Sequence, residues 1–393
     1  MNICFITSDF PNALKGGVER VVHNLGHIFT ANGHKVITLS KEAPSSNEYV
    51  ENQNYSLNGN TEVLHPNNIT FSINLIKQFN IDVIIYASHH HDMFELALEI
   101  KRQTNCKLIS TYYNCPNALI KGITDEFAKI QFSNNSLISK IKQYVILKLG
   151  YIIKLEKRKT YLQQKFSYQY ENSDAFVVES THYVKILASL IGKDCPNIYG
   201  IPNPISKFNN NSTSKREKNV LYIARMNIEQ KRPDRMLRIW KKVQQYFPDW
   251  DLLMIGDGPN KQDMIKYAKK LSLTNIKFIG NSELLPYYQC SEILCMTSTY
   301  EGFGLVLTES FQNEVIPIAF KSYEAIQDII QDNRTGILIK PFDENLYAEQ
   351  LSMLMRDQTL RNKFRTNIKN YDLEAKFGDS IIYKNWLRIF DSI

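Results

Sequence analysis

"NICFITSDFPNALKGGVERVVHNLGHIFTANGHKVITLS", Asn2 to Ser40, decides the fold. It opens with a short apolar run, Asn2 to Ser8, suited to a buried parallel strand. A loop with Pro11 and the pair Gly16-Gly17 follows. Val18, Val21, Val22, Leu25, Ile28 and Phe29 then share one helical face, and Gly33 closes the helix. "HKVITLS" reads as the next strand. Strand, helix and strand make a βαβ unit. Ligands of open α/β sheets bind at the carboxyl ends of the strands, which is where this glycine loop lies.

The pattern continues outward. "IDVIIYAS" (Ile81 to Ser88), "CKLISTYY" (Cys106 to Tyr113) and "SDAFVVES" (Ser173 to Ser180) read as strands, with "DMFELALEIKRQ" as a helix between the first two. Residues 44–68 are rich in Ser, Asn, Tyr and Gly and read as an irregular loop. "GIPNPIS" (Gly200 to Ser206) and the polar run "NNNSTSKREKN" mark a linker. A second α/β alternation starts at "VLYIARM" (Val220 to Met226) and runs through "DLLMIGDGP", "IKFIG", "EILCMTS" and "VIPIAF". The chain of 393 residues is too long for one ordinary core. The expectation is therefore an α/β protein of two Rossmann-like domains facing each other across a cleft. The first spans 1–205 and the second 206–375. The amphipathic tail, 376–393, is expected to pack back on the first.

Composition narrows the function classes. Hydrophobic content of 43% and charged content of 22% are those of an ordinary folded chain. The six cysteines include no C-x-x-C pair and no zinc-type cluster with histidine, so a reducing cytoplasm is expected. Met1 leads straight into "ICFIT", without the basic region of a signal peptide. Lysines interrupt "YVILKLGYIIKLEK" (Tyr144 to Lys157) far short of the ~20 apolar residues that a membrane span needs. The net charge of +7 is modest, and no RNA- or DNA-binding module is recognisable, so no nucleic acid partner is expected.

"TSTYEGFGLVLTES" (Thr297 to Ser310) keeps two carboxylates, Glu301 and Glu309, in an apolar stretch around a Gly-Phe-Gly turn. Gly302 and Gly304 let backbone approach a ligand, and a helix starting there points free N–H groups at an anion. Carboxylates accept hydrogen bonds from hydroxyls. A phosphate at the helix start with hydroxyls on either side describes a nucleotide sugar. "IARMNIEQKRPD" offers cations for the diphosphate: Arg225 at the carboxyl edge of a strand, and Lys231 before the helix that Pro233 starts. Gly16 and Gly17 offer backbone N–H groups to the same phosphates. Gly256, in "GDGP", lacks the G-x-G-x-x-G spacing of a dinucleotide site and reads as a turn next to the nucleoside.

"GGVERVV", "IARMNIEQKRPD", "LLMIGDGP", "IKFIG" and "EGFGLVLTE" occur in this order across nearly the whole chain. The set resembles glycosyltransferase family 4, with the two-domain GT-B fold and an E-x7-E element. The resemblance implies sugar transfer from a nucleotide donor with retention of anomeric configuration. It makes the first domain the acceptor-binding one and the second the donor-binding one. It implies that Arg225 and Lys231 hold the donor diphosphate, Glu301 contacts the transferred sugar and Glu309 holds the ribose. Phe303, Gly304 and Leu305 would supply contacts around sugar and phosphate. A UDP-sugar donor is expected, with no metal. The acceptor is expected to be a glycan or lipid-linked glycan of bacterial surface polysaccharide, which sets the chain in the cytoplasm, at the inner face of the membrane. Three other readings stay open: a UDP-sugar epimerase on the same fold, a non-catalytic subunit that keeps it, or a nicotinamide oxidoreductase, which would bind NAD.

One departure stands out. The family often has a histidine after the strand matching "LISTYY", where this chain has Tyr112, Tyr113 and Asn114. A tyrosine is a poor base near neutral pH. Either the histidine's role is dispensable, or Asn114 and a histidine of "SHHHD" serve the acceptor, with His91, Tyr113 and Asn114 as its candidate residues. Three adjacent histidines cannot easily turn onto one ion, and Asp249 and Asp251 precede a strand, so neither group is read as a metal site. Finally, residues 137–166 combine helically spaced Ile138, Ile141, Val145, Leu149, Ile152 and Leu155 with eight Lys and Arg. That suits either a helix packed on the first domain or a surface lying on anionic lipid.

Overall fold

The computed structural model describes residues 1–12, 17–42, 53–133, 135–206, 208 and 215–393. It divides into two compact units. One comprises Met1–Pro116, Tyr161–Ile205 and Glu374–Ile393, the other Asn117–Thr160 and Ser206–Leu373.

The first unit is built on β1 (Asn2–Thr7), β2 (Lys35–Ser40), β3 (Gln53–Ser56), β4 (Val83–Ala87), β5 (Lys107–Tyr112), β6 (Ala175–Val178) and β7 (Ile198–Gly200). The strands are parallel, in the order β3-β2-β1-β4-β5-β6-β7. Every residue of β4 is buried, as a strand covered on both faces requires. The second unit is built on β8 (Asn219–Ile223), β9 (Asp251–Ile255), β10 (Ile276–Gly280), β11 (Ile293–Met296), β12 (Ile316–Phe320) and β13 (Ile337–Ile339). These are also parallel, in the order β10-β9-β8-β11-β12-β13. Counted from its own first strand, each sheet runs 3-2-1-4-5-6, and the first adds a seventh. The two Rossmann-like halves read from the sequence are thus present, and the class is α/β.

The sequence reading differs from the structure at the sheet edges. Part of the expected loop 44–68 is the polar edge strand β3, while 43–52 lie outside the described residues. β7, not read from the sequence, ends at Gly200 where the expected linker begins, and it and β13 are each three residues long. An edge strand this short or this polar is held by its neighbour's ladder and carries no hydrophobic period of its own.

A larger difference concerns residues 117–160, drawn from sequence within the first domain and found in the second unit. Arg232 donates to Asp125 at 2.7 Å, Lys121 reaches Glu324 at 2.8 and 2.9 Å, and Lys129 pairs with Glu229 at 2.6 Å. The helix Tyr151–Asn172 starts in one unit and ends in the other, so no Gly/Pro-rich break marks the change. The tail belongs to the first unit. In the helix Asp379–Phe390, the rings of Trp386 and Phe390 meet Phe29 edge-on at 5.6 and 5.5 Å. Among the described residues, no helix is long and apolar enough to cross a membrane.

Candidate functional site

In the second sheet the strand order reverses between β8 and β11. The carboxyl ends of such neighbouring strands are where open α/β sheets take their ligands. Two loops leave from there, one after β8 and one after β11, and they are stitched together. Thr299 N–H donates to the Gln230 carbonyl at 2.7 Å, and the Thr297 hydroxyl to that of Arg232 at 2.9 Å. The buried Tyr222 hydroxyl holds the Lys231 carbonyl at 2.8 Å.

This stitching sets Lys231 against Glu301. The ammonium lies 2.7 and 2.5 Å from the two carboxylate oxygens. Ser298 donates to the same carboxylate at 2.6 Å and Gln230 at 3.3 Å. Glu301 is only 7% exposed, and a buried ion pair is tolerated when its remaining lone pairs are hydrogen-bonded in this way. Arg225 stands on the β8 loop with its side chain exposed and, among the described residues, unpaired.

A charged layer underlies the pair. Arg232, in a left-handed conformation (φ 53°), donates to Asp125 and, with two nitrogens, to Asp234. Burial works against charge on Asp234, but hydrogen bonds from Arg232 and Arg238 hold its carboxyl below the usual range. At Asp125 burial prevails over the pull of Arg232 and lifts the carboxyl to about 6.

Gly304 (φ 94°) caps the helix Leu305–Gln312. A β-carbon there would fall 2.5 Å from the Tyr323 hydroxyl, which bonds the buried Phe303's carbonyl at 3.1 Å. Gly256 follows β9 with φ 122°, and its β-carbon would lie 2.2 Å from the Ala224 carbonyl oxygen. Glu309 lies further along the helix, with no exposed surface. Its two oxygens accept from the Ser206 hydroxyl at 2.7 Å and the Tyr288 hydroxyl at 2.9 Å.

The remaining candidates lie in the first unit. Gly17 opens the helix Gly17–Ala31, while Gly16 lies outside the described residues. His91 follows β4, and Tyr113 and Asn114 follow the neighbouring β5, so all three stand at that sheet's carboxyl edge. His91 is exposed and lies 3.6 Å from Glu95. Asn114 uses its side-chain oxygen locally, accepting from Cys115 N–H at 2.8 Å. Burial pushes the Tyr113 phenol above its ordinary pKa. Tyr112 packs edge-on against Phe166 at 5.0 Å. Asp249 pairs with Lys218, and Asp251 with Lys277 at 2.6 Å.

Sequence reasoning missed four partners of the two glutamates. Gln230 and Ser298 sit inside quoted motifs, where a polar side chain beside a candidate was the available signal. Ser206 and Tyr288 had none, because 103 and 21 residues separate them from Glu309. Asp125 likewise carried no local mark.

Known proteins give the same picture. The arrangement is similar to a crystal structure of a Staphylococcus aureus TarM variant in complex with fondaparinux, alpha-GlcNAc-glycerol and UDP, with a TM-score of 0.74. The match covers 100% of both chains at 12% identity, and it defines the fold as that of the GT-B glycosyltransferases. Residues 15–207 match the model of Glycosyltransferase Family 4, and residues 205–371 that of Glycosyl transferases group 1. The chain belongs to these family 4 glycosyltransferases. Among curated relatives, the amylovoran biosynthesis glycosyltransferase AmsD of Erwinia amylovora is 29% identical over 55% of this chain and 62% of its own length. A Campylobacter jejuni alpha-1,4-N-acetyl-D-galactosaminyltransferase, named for a polyprenyl-linked glycan substrate, is 28% identical over 46% of this chain and 50% of its own. The matches thus span between half and two thirds of these relatives.

Proposed function

We propose that this protein is a retaining, metal-independent glycosyltransferase. It moves a sugar from a UDP-sugar to a glycan or lipid-linked glycan of bacterial surface polysaccharide. The observation that carries the reading is the Lys231–Glu301 pair at the switch point of the second sheet, with Arg225 exposed on the same loop. Breaking a glycosyl–phosphate bond builds negative charge on the leaving diphosphate and positive charge on the sugar. Lys231, Arg225 and the N–H groups at Leu305 answer the first, and Glu301 faces the sugar. The bonds between Lys231 and Glu301 fix where both charges stand. Glu309 holds the ribose in this reading, and it accepts here from two hydroxyls, the groups a ribose offers. Gly17 backs the phosphates, and Gly256 turns beside the nucleoside. His91, Tyr113 and Asn114 are assigned to the acceptor side.

Support comes from the relatives named for polysaccharide transfer and from the UDP in the similar crystal structure. The reading places the chain in the cytoplasm at the inner membrane face, where a lipid-linked acceptor is presented. The first test is a thermal shift against UDP, GDP, ADP and NAD, each with and without EDTA. A ligand that binds only the folded state raises the melting point. The expected result is a selective shift with UDP that survives EDTA; a shift with NAD alone overturns the reading. Transfer abolished by EDTA would end the metal-free part.

A further inference from the structure

The helix Leu137–Leu149 and the start of Tyr151–Asn172 are at odds with a soluble surface. Among the described residues, nine of the nineteen large apolar side chains left exposed lie between Leu137 and Ile153, with exposures from 48% to 81%. Monomeric chains rarely leave so many together, and such patches mark interaction surfaces. The helical spacing Ile138, Ile141, Val145, Leu149 suits a packed face or a lipid-facing one, and here these four side chains are exposed. It is instead Leu147, on the opposite side, that is buried.

The helix is nonetheless held in place. Ser136 caps its start, Lys140 donates to the Gln131 carbonyl at 2.9 Å, and Tyr144 packs on Phe127 at 4.9 Å. Lys154 and Arg158, one turn apart, both bind Glu126. The apolar face is thus displayed by a fixed support.

Charge selects the occupant. From Leu137 to Thr160 the chain carries six Lys and one Arg against one Glu. A second copy of this surface would bring like charges together. An anionic bilayer offers both halves of the match: phosphates for the lysines and acyl chains for the isoleucines and leucine.

We propose that the helical pair 137–153 inserts Ile138, Ile141, Val145, Leu149, Ile152 and Ile153 into an anionic membrane surface, with Lys142 and Lys148 at the headgroups. This goes beyond surface contact to burial of apolar side chains. It rests on the transferase reading only for the lipid-linked acceptor it would bring within reach.

The test is co-sedimentation of the full chain with phosphatidylcholine vesicles, with and without 30% phosphatidylglycerol. The wild type should pellet with the anionic vesicles and not with the neutral ones. Ile138→Asn/Leu149→Asn/Ile152→Asn keeps every charge and replaces only exposed side chains, so folding is spared. It should bind at least tenfold more weakly at any salt concentration. Lys142→Gln/Lys148→Gln should weaken binding mainly at low salt. Leu149→Trp should shift its emission to the blue on anionic vesicles. No pelleting of the wild type overturns the proposal. So does unchanged binding by the Asn variant, or a dimer in light scattering that the Asn variant dissolves. UDP binding is measured on the same samples. Its loss in the wild type strikes the transferase reading alone, and failure to bind vesicles strikes this one alone.

Discussion

The two sheets share a strand order but not the chemistry at the point where that order reverses. In the first, the carboxyl ends of β1 and β4 are joined by two small hydroxyls, Ser8 and Ser88, 2.5 Å apart, and Ser88 also receives the His90 N–H. In the second, the ends of β8 and β11 carry Lys231 on Glu301, with Arg232 and Arg235 behind them on Asp125, Asp234 and Thr299. The glycines differ too. A β-carbon on Gly17 would meet nothing within 4 Å, while Gly256 and Gly304 have positive φ and no room. Topology thus places a ligand site in each sheet, and loop residues decide what it can hold. At the second the charges meet directly between the two strand ends; at the first the strand ends meet through hydroxyls, and the Lys41–Asp92 ion pair stands to one side.

The largest effect should come from breaking the charged side of this comparison. Lys231→Ala and Glu301→Gln should each lower kcat/KM for sugar transfer roughly 10²- to 10³-fold, the size expected when a preorganised group is removed. Ser88→Ala should stay within a few-fold; steady-state transfer with a labelled UDP-sugar measures both. If all three behave alike, the contrast between the switch points is wrong. Next come the glycines. Gly256→Ala and Gly304→Ala should each cost about 1–3 kcal/mol in urea unfolding, from strain at positive φ and the clash beneath. Gly17→Ala should be near neutral.

Asp125 sharpens the comparison through pH. Its carboxyl is raised in the folded chain to about 6, so folding takes up a proton between the ordinary aspartate value and that pH. Its contribution to stability is fully present below about 4 and is lost as pH rises through 6. Asp125→Asn should flatten that part of the stability–pH curve, read from urea midpoints at pH 4, 5, 6 and 7. The smallest effect is expected from Asp249→Asn and Asp251→Asn, whose carboxylates sit in exposed lysine pairs. Transfer should stay within a few-fold of wild type, measured with and without EDTA.

Legibility followed the range of the interactions. β1, β4, β8 and β11 could be read because a buried parallel strand is a continuous apolar run. The Lys231 and Glu301 motifs could be read because a glycine turn or a strand-end cation is a local feature. β3, β7 and β13 could not, since each depends on the ladder of one neighbour. The packing of 117–160 on the second unit depends on contacts such as Asp125 with Arg232, 107 residues apart. Over 137–153 the periodicity marked an apolar stripe but left open whether it faces protein or lipid.

The sequence by itself determined the two α/β halves, the loops that carry the charged residues, and the family, because these depend on local pattern and short motifs. Only the tertiary structure decided that Lys231 closes on Glu301 and that Glu309 is enclosed by two hydroxyls. It alone showed the apolar face of 137–153 turned outward. Burial and pairing are properties of neighbours in space, and the spacing of residues along one chain does not say which of its surfaces will meet.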